Sequence, residues 1–332
     1  MKLESSTRVL VTGGAGFIGS CLIRQLNRHG VEEIVVADFL GRDEKWRNLS
    51  SLAFADYVDA GEVLNLLESG RLGTFDLVLH MGACSSTTER DVAYLIRNNY
   101  QFTRRLAEWC TGCSTRFVYA SSAATYGSGE AGMDDSSELP YLRRLRPLNA
   151  YGYSKHLFDL YAARTGLLER CTGVKYFNVF GPNEQHKGDM RSMVNKAHAQ
   201  VMDSGSIRLF KSYRDGICDG EQERDFIYVT DAVAMTLHLA ERSDAYGLFN
   251  VGSGRAETWL ALAEAVFAAM GREPKIEFVE MPESMRASYQ YSTRADIGRI
   301  RGAGYDSPIT PLGPAIHDYV TRYLATGNSW NG

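Results

Sequence analysis

Short runs of consecutive apolar residues alternate with longer segments of helical period through the first half of the chain. The runs at 8–12, 34–38, 77–80, 116–120 and 172–177 predict strands, with a further short one near 53–57. Runs that are apolar at successive positions suit strands buried on both faces. Helices are expected between them, for example at 93–109 and 150–164. Strand and helix in alternation predict an α/β fold, a doubly wound parallel (Rossmann-type) sheet with helices on both faces. After Asn178 the elements shorten. A helix near 192–203, strands at 226–229 and 248–251, and helices at 231–241, 259–270 and 311–324 predict a smaller α+β lobe.

The first strand runs directly into Gly13-Gly14-Ala15-Gly16-Phe17-Ile18-Gly19, and a helix of 17 to about 29 follows. In a strand–glycine turn–helix unit the first glycine permits the tight turn. The second permits close approach of a pyrophosphate, and the third permits helix-on-strand packing. The unpaired N–H groups at the helix start favour phosphate. Asp38 closes the second strand about 20 residues on, where an acidic side chain accepts from a ribose 2′-hydroxyl. Its charge opposes a 2′-phosphate, yet Arg42, Lys45 and Arg47 follow closely enough to neutralise one. Residues 1–178 are therefore expected to form a dinucleotide-binding domain and 179–332 a substrate-binding lobe. Some segments should return to the sheet, and a crevice should lie beyond the strand ends.

Tyr151-Gly152-Tyr153-Ser154-Lys155 supplies candidate chemistry. A tyrosine four residues before a lysine shares its helical face. A free phenol, with a pKa of about 10, is a poor base at neutral pH. A neighbouring ammonium favours the phenolate and would make Tyr151 a usable acid/base group for an alcohol.

Composition narrows the class without choosing the reaction. The chain has 332 residues, is 44% hydrophobic and carries a net charge of −4, as a soluble globular protein would. The slightly acidic balance and the lack of a long basic run exclude nucleic-acid binding. No apolar stretch approaches the roughly 20 residues of a membrane span. The first residues lead straight into a core strand, so no signal peptide and a cytoplasmic location are expected. The six cysteines are scattered and are expected as reduced thiols. Cys110 and Cys113 have the spacing of a redox motif but form a single such pair. No metal is expected.

The glycine triplet, with two residues in each gap, resembles that of the extended short-chain dehydrogenase/reductase superfamily. Tyr151 and Lys155 match its active-site pair. Ser121-Ser122-Ala123-Ala124-Thr125-Tyr126-Gly127 matches the segment whose hydroxyl, here Ser122, holds the substrate alcohol. The resemblance implies that Tyr151 accepts the proton, while Lys155 lowers its pKa and binds the nicotinamide ribose. Nucleotide-sugar dehydratases carry an Asp-Glu pair where this chain has Ala123 and Ala124, which leaves epimerases and reductases.

Further segments narrow the resemblance: Gly82 to Glu89, Asn98 to Gln101, Tyr119 to Gly127, Tyr176 to Pro182, His186-Lys187-Gly188 and Arg224-Asp225-Phe226. Together they resemble the ADP-L-glycero-D-manno-heptose 6-epimerase family of lipopolysaccharide core biosynthesis, from the first strand to about Leu324. The resemblance implies oxidation of the heptose at C6″ to a ketone and return of hydride to the opposite face. Tyr151 and Lys187 match its two acid/base groups. It implies cofactor contacts at Gly13, Gly16, Phe17, Ile18, Gly19, Asp38, Phe39, Lys45, Met81, Gly82, Ala83, Cys84, Ser85, Asn98, Lys155 and Val179. It implies substrate contacts at Ser122, Asn178, Asp189, Lys196, Phe210, Lys211, Arg224 and Tyr289. Its cofactor is mostly NADP, with NAD the alternative. It also implies an ADP-heptose substrate and a homo-oligomer, such as a pentamer.

Four features depart from the family pattern. Met81 replaces a common glutamate, Ala60 a common lysine and Asp189 a common serine, and the 213–220 loop is longer than usual. An acidic Asp189 near Lys187 would hold that lysine charged. Two other readings therefore stay open: a different nucleotide-sugar epimerase or reductase, such as a UDP-hexose 4-epimerase, and a non-catalytic cofactor sensor.

Overall fold

The computed structural model describes residues 1–286 and 289–327. The first half contains β1 (Val9–Thr12), α1 (Phe17–Arg28), β2 (Ile34–Asp38), β3 (Asp56–Asp59), α2 (Val63–Glu68), β4 (Leu77–His80), α3 (Val92–Leu95) and α4 (Phe102–Gly112). Then come β5 (Arg116–Ser122), α5 (Leu139–Leu142), α6 (Ala150–Arg164), β6 (Cys171–Tyr176), β7 (Asn178–Phe180), α7 (Met193–Ser204), β8 (Ile207–Phe210), β9 (Glu223–Arg224) and β10 (Phe226–Tyr228). The chain closes with α8 (Val229–Glu241), β11 (Gly247–Val251), β12 (Glu257–Thr258), α9 (Trp259–Ala269), β13 (Ile276–Val279), α10 (Glu283–Arg286), α11 (Gly298–Gly302) and α12 (Leu312–Tyr319).

Seven parallel strands form the main sheet in the order β11-β6-β5-β4-β1-β2-β3. The doubly wound expectation is met. Side-chain alternation divides the core between the two faces. Val9, Val11, Leu77, Leu79 and Val118 pack on the layer of α1 and α8. Leu10, Val78, Phe117 and Tyr119 pack on the layer of α2, α4 and α6. The first layer continues into α7, α9 and α12 through Val194, Phe267 and Ile316. Truncating a fully buried side chain such as Leu22 to alanine should cost roughly 2–5 kcal/mol. Three two-stranded sheets, β7 with β10, β9 with β12 and β8 with β13, complete the smaller lobe.

Two elements differ from expectation. The strand sought near 53–57 begins at Asp56. The Asn27 side chain occupies both polar groups of Ala53 (2.8 and 2.9 Å), which holds that residue to α1 and delays pairing with β2. The helix sought at 93–109 runs through α3 and α4, but a wider π-type stretch joins them at Ile96–Gln101. Among the described residues, no helix is long and apolar enough to cross a membrane.

Strand order reverses beside β1: β2 and β3 extend one way, β4 and β5 the other. A parallel sheet opens a crevice at the carboxyl ends of its strands where the order reverses. Here those ends are Thr12-Gly13 and His80-Met81-Gly82.

Candidate active site

The crevice is a cleft of about 1450 Å³ that runs from the glycine turn to the smaller lobe. Gly13 has φ +68°, and a Cβ there would lie 2.6 Å from the Cα of Gly82. A Cβ on Gly19 would lie 2.1 Å from the carbonyl oxygen of Gly13. The turn therefore closes only without side chains. No side chain caps the start of α1, and its first turn carries no acidic residue. Backbone N–H groups and the positive end of a 12-residue helix are left for an anion. This side-chain-free cradle fits the pyrophosphate of a nicotinamide dinucleotide.

Asp38 closes the cradle at the end of β2. Its carboxylate accepts from the Ala15 N–H at 2.9 Å, the Phe39 N–H at 2.7 Å and the Lys45 ammonium at 2.7 Å. Lys45 thus neutralises the acidic group where a ribose would rest. Below the cleft floor His80 is fully buried, with Thr12 Oγ1 at 2.6 Å from Nδ1 and Thr103 Oγ1 at 2.8 Å from Nε2. Burial pulls its pKa down to about 3, so the ring is neutral.

The 82–85 segment is held from behind by Asn99, a residue of the Asn98 to Gln101 segment to which the sequence assigned no role. Asn99, in the π-type stretch, accepts from the Cys84 N–H at 2.9 Å, and its amide donates to the Cys84 carbonyl and to Ser154 Oγ, each at 3.0 Å. One buried amide ties the cofactor-side loop to α6. The neighbouring Asn98 lines the cleft.

Asn149 caps α6 by accepting from the Gly152 N–H at 2.8 Å. A Cβ on Gly152 would meet the Ala124 carbonyl oxygen at 2.7 Å, so glycine lets the first turn of α6 press against the end of β5. This contact brings Tyr151 close enough to Ser122 for the serine hydroxyl to act on the phenol. Lys155, one turn on, donates to the Ala120 carbonyl at 2.7 Å. Burial pulls its pKa to about 8. The expected lowering of the Tyr151 phenol by Lys155 is not found. Burial pushes that phenol up, and the opposing influence is the Ser122 hydroxyl.

Behind these residues lies a fully buried ion pair, Lys175–Asp159 at 2.7 Å. Asp159 also accepts from Tyr119 and Ser121, and Lys175 also donates to Thr125. Breaking such a pair from one side costs about 3–5 kcal/mol. It supports the end of β5 beneath Ser122.

Lys187 enters from the loop after β7. Its amine lies 5.5 Å from the centre of the Phe17 ring. Burial pulls its pKa down, with Lys196 adding to the fall and Glu184 opposing it. Asn48 joins this loop to the glycine turn, donating to the carbonyls of Ala15 (2.9 Å) and Asn183 (3.2 Å), with His186 Nδ1 at 3.2 Å. Asn48 was not legible as a site residue, because its partners are distant in sequence.

Of the expected residues, Gly13, Gly16, Phe17, Ile18, Gly19, Asp38, Phe39, Lys45, Met81, Gly82, Ala83, Cys84, Ser85 and Asn98 line this one cleft. So do Ser122, Tyr151, Lys155, Asn178, Val179, Lys187, Lys196, Phe210 and Tyr289. Three expected substrate contacts lie apart from its lining. Asp189 is exposed on the loop, and the acid acting on Lys187 is Glu184. Lys211 is paired on the surface with Glu280 at 2.7 Å. Arg224 is buried with its guanidinium 5.6 and 5.1 Å from the ring centres of Trp259 and Tyr289, and it donates to the Glu223 carbonyl. The cleft also takes in Arg191, Gln200, Arg208 and Trp259, which the sequence reading did not select. Its acidic lining residues are Asp38 and Asp43, at the glycine-turn end, so the smaller lobe presents cations. That charge suits a diphosphate.

Residues 9–252 match the NAD dependent epimerase/dehydratase family. The chain is 49% identical over 320 residues to the ADP-L-glycero-D-manno-heptose-6-epimerase of Nitratidesulfovibrio vulgaris, covering 96% of this chain and 98% of that protein. It is 43% identical to the protein of the same name from Alkalilimnicola ehrlichii, over 94% and 96% of the two chains. The crystal structure of Helicobacter pylori ADP-L-glycero-D-manno-heptose-6-epimerase superposes with a TM-score of 0.79 at 26% identity, over 97% of each chain. The chain is an epimerase of the NAD dependent epimerase/dehydratase family, and within it belongs with the ADP-L-glycero-D-manno-heptose-6-epimerases.

Proposed function

We propose that this protein inverts C6″ of ADP-D-glycero-D-manno-heptose to give ADP-L-glycero-D-manno-heptose, through a 6″-ketone. The observation that carries the reading is that Tyr151 and Lys187, borne by separate elements, line one cleft. A bound nicotinamide supplies removal and return of hydride at the sugar carbon. Ser122 would orient the C6″ hydroxyl, and Tyr151 would take or give its proton on one face. Lys187 would do so on the other. Its lowered proton affinity leaves more free amine near neutral pH than a solvated lysine has. Lys155 would hold the cofactor ribose. Residues 1–178 would carry the cofactor and 179–332 the nucleotide sugar. Asn178, Lys196, Phe210 and Tyr289 would contact that substrate, with Arg191 and Arg208 near its diphosphate.

For the cofactor we propose NADP, with NAD the alternative. The Asp38 charge is already met by Lys45 and two backbone N–H groups, which reduces its repulsion of a 2′-phosphate. The proposed setting is the cytoplasm, as a homo-oligomer such as a pentamer, supplying a lipopolysaccharide core sugar. Replacing Lys187 separates this reading from a UDP-hexose 4-epimerase. A 4-epimerase rotates its keto intermediate and needs no second base, so Lys187→Met should abolish 6″ inversion but spare 4-epimerisation.

A further inference from the structure

We propose that Glu184 is a positioning residue whose buried carboxylate clasps the loop carrying Lys187 and sets how that amine meets the substrate. The proposal rests on the reading of Lys187 as the second acid/base group. Glu184 is 0% exposed. Its side chain accepts from the N–H of Ser192 and from Ser192 Oγ at 2.6 Å. It also accepts from the Tyr319 hydroxyl at 3.0 Å and from the Gly181 N–H at 3.5 Å. Its own carbonyl accepts the Lys187 N–H at 3.0 Å. One residue thus closes the base of the 185–191 loop, and Lys187 sits on the segment it closes.

The clasp reaches across the lobe. Ser192 caps α7, accepting from the Asn195 N–H at 3.3 Å. The Asn195 side chain donates to the Tyr319 hydroxyl at 3.0 Å, which in turn donates to Glu184. Tyr319 is fully buried on α12, so a helix near the end of the chain steadies a loop on the cleft wall. A buried carboxylate is costly unless its acceptor capacity is used. Here four donors use it. Burial still pushes its pKa up, and the Ser192 and Tyr319 hydrogen bonds and the Lys187 charge oppose that rise.

The charge also bears on Lys187. Glu184 raises the proton affinity of that amine, while burial and Lys196 on α7 lower it. From α1 the neighbour is the Phe17 ring. His186 on the same loop is pulled down to about 4 by burial and is neutral near pH 7. Arg191 is turned to the Gly188 carbonyl and the Asn195 side chain. Beyond His186 lies the Lys45–Asp38 pair. Removing the Glu184 charge therefore removes the opposing influence and lowers the Lys187 pKa further.

The test compares unaltered protein, Glu184→Gln and Tyr319→Phe. Acetylation of Lys187 by acetic anhydride, followed by mass spectrometry as pH is raised, reads the amine directly and needs no substrate. Glu184→Gln should move the labelling midpoint down by at least roughly half a unit and lower turnover at least about tenfold. Its KM should stay within about twofold. Tyr319→Phe, which leaves the charge in place, should lower turnover several-fold at unchanged KM. A folded Glu184→Gln protein with unchanged midpoint and turnover would overturn the clasp. If Glu184→Gln does not fold, unchanged turnover in Tyr319→Phe would overturn it. No conversion by the unaltered protein would count against the function alone, because the labelling midpoint still reports on the clasp.

Discussion

The ammonium of Lys155 donates to the carbonyl oxygen of Ala120 at 2.7 Å. Ala120 lies two residues before Ser122, and Lys155 one turn after Tyr151. This single bond therefore couples the end of β5 to α6 and fixes the approach of the serine to the tyrosine. It assigns Lys155 a mechanical role in addition to any contact with a ribose.

Two substitutions should separate these roles. Tyr151→Phe should lower turnover at least about a hundredfold while keeping the fold and its bound nucleotide. Lys155→Met should lower turnover and also stability by about 1 kcal/mol, because the part-buried Ala120 carbonyl loses the lysine donor. Urea unfolding beside turnover measures both. Equal stability in the two variants would argue against the coupling.

The glycine cradle predicts a graded series. Gly19→Ala drives a methyl group to within 2.1 Å of the Gly13 carbonyl oxygen, whereas Gly16→Ala meets that atom at 3.0 Å. The first change must reshape the turn, and the second needs only a small shift. Gly19→Ala should purify without nucleotide, as seen in the absorbance of the denatured supernatant, and Gly16→Ala should retain part of it. Full retention by Gly19→Ala would contradict the cradle.

Lys45 should decide between cofactors. Lys45→Ala leaves the Asp38 charge without its cation and restores repulsion against a 2′-phosphate. The ratio of NADP to NAD recovered after denaturation should fall. An unchanged ratio would place cofactor discrimination elsewhere.

His80 should make the fold sensitive to acid. Its pKa is depressed to about 3 from the ordinary 6.5, so the unfolded chain binds the proton and the folded chain resists it. The stability tied to this ring is fully present above about pH 6.5 and is lost as pH falls toward 3, by at most about 1.4 kcal/mol per unit. Unfolding midpoints of His80→Gln should therefore fall less steeply over that window than those of the unaltered protein. Parallel curves would contradict this assignment.

The strands were legible because parallel strands buried on both faces leave consecutive apolar residues in the sequence. The early start expected for β3 came from Ala53, which a side chain on α1 holds out of the sheet. The site was legible where a local motif carries it, as at Gly13 to Gly19, Ser122, Tyr151 and Lys155. It was not legible where a side-chain amide joins segments far apart in sequence, as Asn48 and Asn99 do. The packing around Arg224 was not legible from its charge. A guanidinium near a nucleotide-binding segment suggests a phosphate contact. The pairing of β9 with β12 accompanies its burial beside Trp259 and Tyr289, two rings that themselves line the cleft. Asp189 shows the limit of reading charge alone, since the acid that acts on Lys187 comes from Glu184, three residues earlier.

The most direct measurement is to incubate the purified protein with ADP-D-glycero-β-D-manno-heptose, with no cofactor added, and to separate the C6″ epimers by chromatography. The account predicts conversion to an equilibrium mixture of the two epimers by protein that retains its nucleotide. No conversion, even after NADP and then NAD are supplied, would contradict it.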